Sequence, residues 1–239
     1  MSLVSASGFI GGVKEYTYRG IQEMPLVLIL TSLLFVITTG SAAHTTLLLG
    51  LGVLMPIYGF LLRTIGGYFL SLMSKENQAD WTCASGDTCS IVRPYDYTAS
   101  HSSGGVVPSY WILAINFYFG YILMNAYDTY YAPLEKGASE VSKEKRNTQS
   151  LFLAVASIIF FIILLGVRFT YMGDCEGKGL MGKVLSIVVF GASAFVIGNN
   201  TYYLSKYCGA RSSDLFGVLS QIMPQSATNP RPVVCSATN

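Results

Sequence analysis

Residues 150–167 read SLFLAVASIIFFIILLGV and carry no charge. A helix of about 20 mostly apolar residues crosses the roughly 30 Å hydrocarbon layer of a bilayer while satisfying its own backbone hydrogen bonds. One such run constrains the fold of a whole chain, and the placement of the charges extends the argument. They crowd into residues 14–23, 75–96, 128–146 and 174–183, leaving long uncharged runs between. Only 12% of the 239 residues are charged and 51% are hydrophobic, against about 25% charged in ordinary soluble domains. So few charges cannot coat a globule of this size.

Five stretches meet or approach the length of a span. They are 24–40, opened by Pro25; 45–73, overlong and containing Pro56; 108–131; 150–171; and 180–207. Proline at a first helical position costs no hydrogen bond, whereas Pro56 marks a place where an overlong helix can bend. The expected fold is therefore an all-α membrane protein. Residues 1–207 form one multi-pass bundle of about five transmembrane helices, and 208–239 form an extended C-terminal tail. Four spans plus a buried hairpin is the alternative. Ser41-Ala42-Ala43 resembles a signal-peptide cleavage site, but about 23 residues precede the first apolar run, long for such a signal, so it is read as a retained span.

Five spans place the two termini on opposite faces. Side A carries residues 1–23, the loop 74–107 and the short loop 173–179. Side B carries the tight 41–44 turn, the charged loop 133–149 and the tail. Lysines and arginines divide almost evenly between the faces, and their concentration in 133–149 favours B as the cytosolic one. A net charge of +2 gives no reason to expect nucleic acid, and no basic run exceeds Lys143-Glu144-Lys145-Arg146.

Two helix faces stand out. In the second span Gly52, Pro56, Gly59, Arg63 and Gly66 alternate spacings of four and three, so they share one face. Small residues there, Gly52, Gly59 and Gly66, let a neighbouring helix approach closely. In the third span Tyr118, Tyr121, Asn125 and Asp128 form a second stripe among many aromatics, whose terminal members suit interfacial belts. Asn125 and Asp128 fall at the same depth as Asn199 and Asn200 of the fifth span, defining a polar layer near side B. Hydrogen bonding among these four satisfies groups that are costly to leave unpaired in lipid. The same layer is also the natural lining of an ion or proton path.

Five cysteines lie outside the spans. Cys83 and Cys89 can close a small disulfide loop around a Gly86-Asp87 turn, with Cys175 a competing partner. Cys208 and Cys235 can staple the tail to the end of the fifth span. Free thiols are the alternative for each. No spacing matches a zinc site, and no nucleophile elbow, P-loop, dinucleotide fingerprint or zinc-protease motif occurs. His44 and His101 are the only histidines. The chain is read as a non-enzyme without metal or other cofactor.

Pro108-Ser109-Tyr110-Trp111, leading to Asn125-Ala126-Tyr127, resembles a segment of multi-pass membrane proteins of nucleocytoplasmic large DNA viruses. The tail Asn229-Pro230-Arg231-Pro232-Val233-Val234-Cys235 is similar to endings in the same group. The resemblance covers roughly residues 108–131 and 208–235. It implies a structural role in the virion's internal membrane, acquired from host endomembrane, with minor capsid or other virion proteins contacted through 74–107 and 208–239. Those two segments, each about 30 residues, bury little surface alone and gain order from disulfides or partners. The alternative function is a small channel or transporter built on the polar layer.

Overall fold

A computed structural model describes residues 16–17, 20–21, 23–71, 110–131, 140–171, 185–207 and 215. Within them the chain builds five long helices and no strand. We label them α1 (Met24–Thr39), α2 (42–71), α3 (Tyr110–Tyr131), α4 (Glu140–Tyr171) and α5 (185–207). The loop 74–107, the tail apart from Leu215, and all five cysteines lie outside the described residues.

Helix α1 opens on Pro25 and closes on Gly40, whose φ of 62° is the left-handed conformation glycine adopts without strain. The Gly40 N–H returns to the Val36 carbonyl at 2.9 Å. Only Gly40 and Ser41 separate α1 from α2, so the expected 41–44 turn is tighter than its sequence suggested and the two helices form a hairpin.

Helix α2 joins Ala42–Leu49 and Met55–Ser71 through a π turn at Gly50–Leu54. Pro56 explains the turn. In α register the Gly52 carbonyl would look to the N–H of residue 56, which proline lacks. The chain widens instead, and the Met55 N–H bonds the Gly50 carbonyl, five residues back. That choice strands Leu51. Its four-on partner is committed to Gly50, and its five-on partner is Pro56. The Tyr110 hydroxyl on α3 donates to the Leu51 carbonyl at 2.6 Å and fills the gap.

Helix α3 is the centre of the bundle. Both faces of its first half are buried, from Tyr110 through Phe117, and it packs most extensively on α5 and α4. Its contact with α5 is close enough to be made of backbone. A Cβ on Gly120 would overlap the Phe195 carbonyl, and one on Gly198 would overlap the Phe117 carbonyl.

Helix α4 begins at Glu140, which corrects the reading of 133–149 as a loop. Residues 140–149 include Glu140, Lys143, Glu144, Lys145, Arg146 and Gln149, all good helix formers. At about 1.5 Å per residue the 32-residue helix runs about 48 Å, longer than a bilayer core. A second correction concerns the aromatics of α3. Tyr110 and Trp111 are buried inside the bundle, because each has a bonding duty there, whereas Tyr127, Tyr130 and Tyr131 at the other end are exposed.

Among the described residues two helical stretches are long and apolar enough to cross a membrane, Ala42–Leu62 with mean hydropathy 1.9 and Lys143–Arg168 with 2.9. Met24–Thr39 is a shorter apolar helix.

Candidate functional site: a polar network at one end of the bundle

Tyr121 is fully buried midway along α3. Its hydroxyl lies 2.8 Å from the Ala43 carbonyl, 2.9 Å from Thr46 Oγ1 and 3.3 Å from Ser205 Oγ. One side chain thus ties α3 to the start of α2 and the end of α5. Ser205 in turn donates to the Tyr202 carbonyl at 2.6 Å, and the Tyr121 and Tyr202 rings meet edge to face at 5.4 Å. A tyrosine suits this position because its ring fills apolar space while its hydroxyl needs one fixed partner.

The network continues one turn further along α3. Tyr202 donates to Asp128 Oδ2 at 3.0 Å, and Asn125 Nδ2 donates to the Tyr202 hydroxyl at 3.4 Å. Lys206 Nζ sits 2.7 Å from Asp128 Oδ1. Asp128 is 15% exposed and Lys206 48% exposed, so the pair lies at the rim of the bundle with the lysine toward the outside. Thr129 completes the set by bonding the Asn125 carbonyl at 2.8 Å.

The sequence pattern named Asn125, Asp128, Asn199 and Asn200. The structure brings the first two together through Tyr202, while Asn199 is half-buried, Asn200 exposed, and neither joins the network. The partners from α5 are Tyr202, Ser205 and Lys206. Their spacing of three and four, with Lys206 next to Ser205, was the available signal, masked by the more conspicuous Asn-Asn pair. Of the expected packing glycines, Gly59 approaches Leu113, with a Cβ there at 3.2 Å from its Cδ1, and Gly52 has nothing within 4 Å. Gly50, outside that pattern, is the α2 glycine pressed against Phe117. Gly66 lies in α2 without a described surrounding.

At the opposite end, the Trp111 indole N–H donates to the Ile21 carbonyl at 2.7 Å, and the buried Arg168 guanidinium stands 5.0 Å over the Trp111 ring. This clamps the segment before α1 and the end of α4 onto the start of α3. Among the described residues no group of three or more His, Cys, Asp or Glu is placed to hold a metal ion.

Comparison with protein-family models, with curated proteins and with solved structures finds no match.

Proposed function

We propose that this chain is a structural integral membrane protein whose five helices cross the bilayer as one bundle and anchor a protein shell through the parts outside it. The observation that carries the membrane reading is the outward face of α4. The Lys143–Arg168 stretch is buried over only 17% of its most apolar window, and Phe152, Ile159 and Ile163 are more than half exposed. A core helix of a soluble domain would hide such residues, and contiguous apolar surface on this scale needs lipid or a partner to cover it. Alkaline carbonate extraction of membranes containing the full chain tests this directly: retention is expected, and release overturns it.

The structural role draws support from the polar network. Asp128, at the rim of the bundle, has a lysine and a tyrosine of α5 on its two oxygens and so ties α3 to α5. The virion assignment, with capsid contacts through 74–107 and 208–239, rests on the resemblance at residues 108–131 and 208–235. Proteomics of particles stripped of their outer layers tests it, since absence of the chain removes that assignment. The low exposure of Asp128 also favours a second reading, a small channel or transporter. Ion flux in liposomes that falls on Asp128→Asn substitution would favour this reading over the structural one.

A further inference from the structure

His44 sits one turn into α2, 7% exposed, with its ring stacked on Phe35 at 5.0 Å and 21°. Leu215 packs beside the imidazole in the same cavity lining, and the imidazole Nδ1 is buried with no partner among the described residues. A neutral imidazole offers one donor and one acceptor, so one of its two bonding positions is unfilled. It lines a cavity of about 260 Å³ between α1, the start of α2 and α3, together with Val27, Ser32, Leu47 and Leu215. Leu28 and Tyr118 form one wall of this cavity and also one wall of a second, of about 310 Å³, between α1, α3 and α4. The second cavity is lined by Met24, Phe119, Ala156 and Phe160 and lies between the first turns of α1 and the middle of α3 and α4.

The two spaces adjoin at Leu28 and Tyr118. The first lies beside the Gly40–Ser41 turn, at the end of the α1–α2 hairpin, and the second is a mostly apolar groove that opens outward at Phe160. A hydroxyl group suits either tautomer of His44, because it both donates and accepts.

Resting on the membrane reading above, we propose that these adjoining spaces together bind a single-chain amphiphile carrying a hydroxyl head, of the long-chain alcohol class, with the hydroxyl on His44 Nδ1 and the chain running past Leu28 and Tyr118 into the second. The stack on Phe35 holds the imidazole plane, so the polar end of the site is preorganised.

The test uses the full chain in phosphatidylcholine vesicles and hexadecanol bearing a mid-chain diazirine. Photolabelling is expected to concentrate on peptides holding Leu28 and Tyr118–Phe119. A tenfold excess of unlabelled hexadecanol should reduce it at least fivefold, and hexadecane should not. His44→Phe, which keeps the stack on Phe35 but removes the nitrogen, should lower site labelling by a similar factor, as should Ala156→Phe by filling the second cavity. Labelling spread over the exposed faces of α1 and α4 without competition overturns the proposal, and so does equal competition by hexadecane. The competition on the unsubstituted chain decides the matter even where a variant fails to fold. Carbonate extraction of the same vesicles separates the two failures: a chain released from the membrane overturns the membrane reading, and a retained but unlabelled chain overturns this inference alone.

Discussion

Tyr110 and Pro56 are one device in two places. The proline deletes a donor, the π turn passes the vacancy to the Leu51 carbonyl, and the tyrosine hydroxyl closes it at 2.6 Å. Tyr110→Phe leaves that carbonyl buried and unpaired, and should cost about 1–3 kcal/mol. Pro56→Ala restores a backbone N–H at the critical step, so the phenylalanine substitution should cost less in that background. A double-mutant cycle on denaturant unfolding in detergent measures the coupling, and strict additivity would refute the linkage. At the other end of α3, Lys206→Met should cost less than about 1 kcal/mol, because the lysine is half exposed. Tyr202→Phe should cost more in the same measurement, since its hydroxyl bridges Asn125 and Asp128 inside the bundle. How far these sites were legible follows from periodicity. Asn125 and Asp128 share a helix face and stand out in an apolar sequence. Tyr110 does not, because its duty arises from a carbonyl 59 positions away in sequence that only the local geometry around Pro56 makes needy.

Among the elements, α3 and α5 approach until backbone faces backbone. Gly120 and Gly198 each face a backbone carbonyl of the partner helix, and backbone cannot step aside as a side-chain tip can. Gly198→Ala should therefore destabilise by about 1–3 kcal/mol, although glycine to alanine within a helix ordinarily stabilises by about 0.5–1 kcal/mol. Gly52→Ala and Gly166→Ala, with nothing within 4 Å, should show the ordinary sign when thermal unfolding of the variants is compared. The helices themselves were readable from hydropathy and from Pro25, Gly40 and Pro56. The glycines that matter were not, since Gly120 is a single small residue in an aromatic helix and forms no repeating pattern. The charged residues 140–149 were misread for the opposite reason. Charge argues against lipid, but it does not argue against helix, and these residues extend α4 beyond its apolar stretch.

For the molecule as a whole, polarity runs inside out. The helix richest in tyrosine and asparagine, α3, is at the centre, and α1 with the apolar stretches of α2 and α4 carries Leu30, Leu34, Ile57, Phe60, Phe152 and Ile159 on the outside. Tyr110, Tyr121 and Asn125 find partners in neighbouring helices, so on the proposed membrane reading α3 need not itself be apolar enough to face lipid. A soluble bundle of the same helices would place these surfaces the other way round. Brominated lipids quench only tryptophans that reach the hydrocarbon, which makes the arrangement measurable. Trp81 lies outside the described residues, so Trp81→Phe leaves Trp111 as the sole native reporter. Trp111 is 4% exposed and held between Ile21 and Arg168, and should be nearly insensitive to mid-chain bromines. Ile159→Trp in that background should be quenched strongly, because position 159 is more than half exposed at the middle of α4. Equal quenching of the two reporters would mean that α3 meets lipid as α4 does, and the sheathed arrangement would then be wrong.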